Sequence, residues 1–132
     1  MSPLLLMLAL DARQALDAGD AAWMAGDRGQ ARASWKVAAE AEDPAVRAMA
    51  ELRLLRVSGN LGWMVHGPRV DRALADCPAD DAWCDLAEAE LELTLRDLGL
   101  GGDLDHVHRM LTRAEARLPE ATEAARRWEA AG

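Results

Sequence analysis

The densest set of side chains able to hold a metal is Asp103-Leu104-Asp105-His106-Val107-His108. Imidazoles beside carboxylates suit a transition metal. On a helix, however, positions i and i+2 point about 200° apart, so His106 and His108 cannot converge unaided. Asp103 and Asp105 also suit a helix N-terminus through its dipole alone. The expectation is a solvated first turn and no metal ligands. His66 stands alone. Nucleophilic chemistry would have to use Ser34, Ser58, Cys77 or Cys84. No Gly-x-Ser-x-Gly or Cys–His signature surrounds them. Gly99–Gly102 lacks the Lys-Ser/Thr ending and the preceding strand of a phosphate loop. Glu88, Glu90 and Glu92 alternate rather than share a face, and read as solvated flanks. No catalytic residue and no cofactor is called for, so the chain is expected not to be an enzyme.

The spacing of Cys77 and Cys84, in CPADDAWC, suits neither a CxxC redox motif nor a zinc half-site. Pro78 starts a turn between them. A helix-turn-helix corner can bring two such Cα atoms within about 7 Å. A disulfide and a pair of buried thiols both fit. The disulfide would imply an oxidising compartment such as a periplasm, the thiols a cytoplasm. Five tryptophans supply all the aromatic area, because Phe and Tyr are absent. Trp35, Trp83 and Trp128 fall where core residues are expected. Trp63 and Met64 sit in GNLGWMVHG, residues 59–67, a glycine-bounded loop. That loop either exposes Trp63 and Met64 to a partner or folds back as a lid.

These groups need a framework, and composition restricts it. Alanine (28) and leucine (20) supply more than a third of the 132 residues, and isoleucine is absent. Six valines and three threonines cannot furnish a sheet of ordinary size, since strands need β-branched and aromatic side chains. The fold is therefore expected to be all-α. A hydrophobic fraction of 51% excludes a wholly disordered chain, and the length suits a single domain spanning 1–132. A formal charge of −8 argues against nucleic acid as a partner. Pro3, Pro44, Pro68, Pro78 and Pro119 each read as the first residue of a helix, where a missing N–H costs nothing. Gly26-Asp27 and Gly102-Asp103 add two more starts, Asp27 and Gln30 having capping-box spacing. About seven helices follow, near 3–25, 27–42, 44–58, 68–76, 79–98, 103–117 and 119–130. Short links make neighbours pack as antiparallel pairs. MSPLLLMLAL has no basic residue ahead of its apolar run and is shorter than the roughly 20 residues that span a bilayer. It reads as a packed first helix capped by Ser2, the other reading being the remnant of an export or anchor segment.

Within 12–44, Gly19 precedes Gly26-Asp27, then come Ala31, Trp35, Ala38 and Pro44. This resembles a tetratricopeptide repeat, with small residues at the helix crossing, glycine at the turn and proline at the exit. Ala15 and Ala22 depart from the family's first-helix aromatic positions. Weaker units follow at 45–78, with Gly59 at the turn, and at 80–119, with Trp83, Gly102-Asp103, Ala114 and Pro119. The helix 119–130 reads as a polar cap. The resemblance implies a short α-solenoid of antiparallel pairs, with Gly19 and Ala38 at the first crossing. It further implies a non-enzymatic adaptor or scaffold that holds a protein or peptide segment in a groove. Counting the repeat from Ala12 puts Arg13, Leu16, Asp20, Trp23 and Met24 on the inner face, then Met49, Arg53 and Arg56, then Glu88, Leu91 and Glu92. That lining suits a segment with an acidic end, an apolar middle and a basic end. The alternatives are a structural subunit of a larger assembly and a metal- or ligand-binding bundle. No membrane span is expected, and the oligomeric state is left open.

Overall fold

The computed structural model describes residues 3–132, with side chains from Ala12 onward. Among the described residues there are seven α-helices and no strand. They are α1 (Pro3–Met24), α2 (Arg28–Ala38), α3 (Pro44–Ser58), α4 (Trp63–Ala75), α5 (Ala82–Asp97), α6 (Leu104–Glu115) and α7 (Pro119–Ala131). Helices adjacent in sequence pack together: α1 with α2, α2 with α3, α5 with α6, and α6 with α7. The expected capping role of Ser2 and the packing of side chains before Ala12 lie outside the described residues. None of the described helices is long and apolar enough to cross a membrane.

Helix ends follow the acids. Asp27 accepts from the Gln30 amide at 3.1 Å, Asp43 from Ala45 at 2.9 Å, Asp81 from Cys84 at 3.1 Å and Asp103 from His106 at 3.1 Å. Each such cap stabilises its helix by about 1 kcal/mol. The capping box at Asp27 is only half formed. The Asp27 amide already donates to Ala22 O at 2.9 Å, closing α1 with Gly26 at φ 84°. Gln30 therefore turns away and donates to Ser34 Oγ at 3.1 Å. Pro44 and Pro119 stand at helix starts as expected.

The segment 59–67 is not a loop. A single 3-10 turn, Asn60–Gly62, leads directly into α4, which begins at Trp63 and contains Pro68 in its interior. Two of its glycines, Gly62 and Gly67, serve close packing. A Cβ on Gly67 would lie 2.9 Å from the Trp63 ring, and one on Gly62 would lie 2.6 Å from Ser58 Cβ. Pro78 likewise starts no helix, because Asp81 sets the start of α5 three residues later.

The chain divides into two compact units, the first ending at Ala73 and the second spanning Leu74–Gly132. In the first unit α3 is the most enclosed element, with Val46, Met49, Leu52 and Leu55 buried among alanines. Small residues on α1 and α2 allow close approach. Gly19 faces the Trp35 indole, which a Cβ would strike, and Ala38 is fully buried. On α4, His66 Nδ1 lies 2.6 Å from buried Glu51 of α3.

In the second unit Leu86, Ala89 and Leu93 of α5 meet Val107, Leu111 and Ala114 of α6 in the core. On α6 Met110 is also buried, while Leu104 is exposed. Trp83 and Trp128 are only half-buried, a correction to their expected core role. Trp128 Nε1 reaches outward to Asp97 at 2.6 Å. Cys77 and Cys84 form a disulfide with their Cα atoms 6.0 Å apart. The segment between them is also held by Arg113, donating to Ala79 O at 3.1 Å, and by Arg117, donating to Asp80 O at 3.0 Å. Burial pushes the Asp85 carboxyl above its ordinary range. Arg113, 3.5 Å away, opposes that rise, while Glu88, Asp81 and Asp80 add to it.

Candidate functional site

The α1–α2 turn and the end of α3 enclose a groove of about 630 Å³ in the first unit. Its back wall is Trp35, which projects from α2 over Gly19 and is 3% exposed. Trp35 Nε1 donates to Asp20 Oδ1 at 3.0 Å. Arg53 Nε donates to the same oxygen at 2.7 Å, and Arg53 Nη1 donates to Met49 O at 3.2 Å. One carboxylate thus binds α1 to both α2 and α3.

Trp23 leans on Trp35 with ring centroids 5.7 Å apart, and the Arg28 guanidinium lies 5.0 Å from the Trp23 centroid. This stacking holds Arg28 at the mouth. Met24, 84% exposed, forms an apolar lip, and Arg56 and Val57 complete the lining. Three guanidiniums against one carboxylate give the lining a formal charge of +2. That sign is unusual for this chain. Residues up to Ala73 hold nine acidic and nine basic side chains, whereas Leu74–Gly132 hold fourteen acidic and six basic. The whole formal charge of −8 therefore belongs to the second unit.

Of the residues expected on a binding face, Asp20, Trp23, Met24, Arg53 and Arg56 line this groove. Leu16 and Met49 do not; they are 3% and 2% exposed. The helices pack with α1 against both α2 and α3, so the face holding these two residues is core rather than wall. Arg13 lies outside the lining and pairs with Asp43 at 3.4 Å. Glu88, Leu91 and Glu92 belong to α5 in the second unit. Glu88 meets His106 Nε2 at 3.2 Å, and Glu92 accepts from the Asp103 amide at 2.8 Å, so both glutamates fasten α5 to the start of α6.

Arg28, Trp35 and Val57 are lining residues that the repeat count missed. Arg28 follows the tight turn directly, and a turn that reverses the chain beside Trp23 was the available signal.

Trp63 is half-buried, its ring beside Gly67, while Met64 is 80% exposed. His106 and His108 diverge, His108 reaching Glu129 at 2.9 Å. Among the described residues no group of three or more His, Cys, Asp or Glu is arranged to hold a metal. Comparison with protein families, curated proteins and solved structures yields no match for the chain.

Proposed function

We propose that this protein is a non-enzymatic interaction module whose first unit seats an acidic, apolar-anchored segment of a partner protein. The observation carrying this reading is the groove itself. An exposed methionine and a half-buried tryptophan stand among three arginines, in a unit with no net charge of its own. Aromatic and arginine side chains in a concave site are the usual anchors of protein recognition. Guanidinium forks also orient carboxylates bidentately. The basic end expected of the ligand is dropped, because the glutamates meant to receive it belong to the other unit. The order Gly19, Gly26, Ala31, Trp35, Ala38 supports a tetratricopeptide-like hairpin as the scaffold.

The test uses a fluorescein-labelled peptide with Glu and Asp flanking a Leu-Leu pair, followed by anisotropy. Trp23→Ala should weaken binding by about 2 kcal/mol, roughly thirtyfold. Arg56→Glu should weaken it in a salt-dependent way. A Lys-flanked peptide that binds as tightly and is weakened as much by Trp23→Ala would refute the reading. A second reading, a subunit buried in a larger assembly, draws on Leu61, Met64 and Val65. They are 84%, 80% and 53% exposed at the entry to α4.

A further inference from the structure

The second unit has its own groove, of about 680 Å³, in the part of the chain that carries the excess of acidic residues. Its apolar lining is exposed Pro78 with half-buried Trp83 and Leu118. Its rim carries Asp80, 95% exposed at the side chain with Arg113 4.0 Å from its carboxylate, and Asp81, one oxygen of which caps α5. Arg117 also lines the groove, one of its guanidinium nitrogens donating to Asp80 O, so the lining carries a formal charge of −1. Every lining residue other than Arg117 and Leu118 lies between Cys77 and Cys84. The disulfide and the two arginines therefore fix the shape of this wall before anything binds. A wall already ordered does not have to be ordered on association.

We propose that this groove is a second docking surface, and that it takes a basic segment of a partner protein with an apolar side chain between Lys or Arg residues. The charge of the surroundings selects the occupant. The second unit holds all of the formal −8, so it attracts cations over a Debye length and repels the acidic ligand assigned to the first unit. Trp83 gives an arriving apolar side chain a broad, rigid face at small entropic cost. Lysines or arginines on either side of that residue meet Asp80 and Asp81.

The probe is a short fluorescein-labelled peptide with Lys and Arg flanking a Leu-Leu pair, titrated by anisotropy. Two controls accompany it: the same peptide with Gly-Gly at the centre, and the same peptide with Glu for each basic residue. The basic apolar peptide should bind at least tenfold more tightly than the Gly-Gly control and, on Trp23→Ala protein whose first groove is weakened, at least tenfold more tightly than the Glu control. Trp83→Ala should weaken it about tenfold, and Asp80→Lys several-fold with a flatter salt dependence. A Cys77→Ser/Cys84→Ser protein that keeps its helical circular dichroism should also bind more weakly. Trp23→Ala should leave this titration unchanged, which separates the result from the fate of the first-unit groove. The proposal is overturned if the Gly-Gly peptide binds as well, since that is unspecific attraction to an acidic protein. It is equally overturned if folded Trp83→Ala retains full affinity, or if Trp23→Ala abolishes binding.

Discussion

Asp20 offers the sharpest test of how the first unit is held together. Its Oδ1 accepts from Trp35 Nε1 at 3.0 Å and from Arg53 Nε at 2.7 Å. Asp20→Ala removes both bonds. Trp35 is 3% exposed, so an orphaned indole N–H there costs about 1–3 kcal/mol. The Arg53 contribution is smaller. The Asp20 side chain is 42% exposed, which screens the ion pair to about 1 kcal/mol or less, and Arg53 keeps Met49 O. Alanine recovers about 0.5 kcal/mol of helix propensity. The net expectation is a loss of about 2–3 kcal/mol, lowering the urea midpoint by about 1–2 M.

Asp20→Asn keeps an acceptor oxygen and should lose only about 1 kcal/mol. The decisive assay is a double-mutant cycle of Asp20→Ala with Trp35→Phe, read by urea unfolding of each variant. A coupling of about 1–2 kcal/mol is expected because the two changes remove the same bond. Strict additivity would refute the shared-acceptor account. Binding should move the other way, since the groove lining rises from a formal +2 to +3 when Asp20 is lost. The destabilised variant should then hold an acidic peptide more tightly.

Gly19→Ala should destabilise by about 1–3 kcal/mol in thermal melts, because even a methyl group strikes Trp35. Helix propensity alone predicts a gain at that position, so the sign is diagnostic. Reducing the Cys77–Cys84 bond, which spans a sequence separation of 7, should lower second-unit stability by about 2.5 kcal/mol on the chain-entropy estimate, measured by urea unfolding with and without reductant. Asp85 has its carboxyl pushed up by burial, so the folded chain holds that proton at pH values where the unfolded chain has released it. Its share of stability is complete below the ordinary carboxylate range and is lost as pH rises through the folded value. The stability of wild type relative to Asp85→Asn should therefore fall with rising pH across that window, as measured by unfolding at a series of pH values.

Much of the framework was legible because its signals are local. Asp27, Asp43 and Asp103 are short acceptors placed just before helical runs, and each does cap a helix. The missing sheet followed from what the chain does not contain. The 59–67 segment was misread because glycine carries two meanings that sequence does not separate. At Gly59 it supplies a positive φ of 72°, whereas at Gly62 and Gly67 it makes room for a neighbouring side chain. The groove was half legible for a related reason. Helical spacing puts Leu16 and Asp20 on the same stripe of α1, yet one is core and the other lines the opening. Which side of a stripe faces solvent depends on a third helix, and sequence spacing within a hairpin does not contain it. Trp35 was placed correctly in the core, but its second role, as the partner of Trp23, needs the crossing angle that Gly19 permits.

The Trp23–Trp35 pair also gives the molecule an optical property. With no tyrosine or phenylalanine in the chain, near-ultraviolet absorption and intrinsic emission come from five indoles and, in absorption only, a weak disulfide band. Two of those indoles stand 5.7 Å apart at an interplanar angle of 38°, close enough for their excited states to mix and skewed enough for the mixing to be chiral. The first unit should therefore carry an exciton couplet in its circular dichroism, with one ring anchored to Asp20 and the other at the mouth of the groove. Any occupant that tilts Trp23 changes the couplet without a label attached, so the groove contains its own reporter.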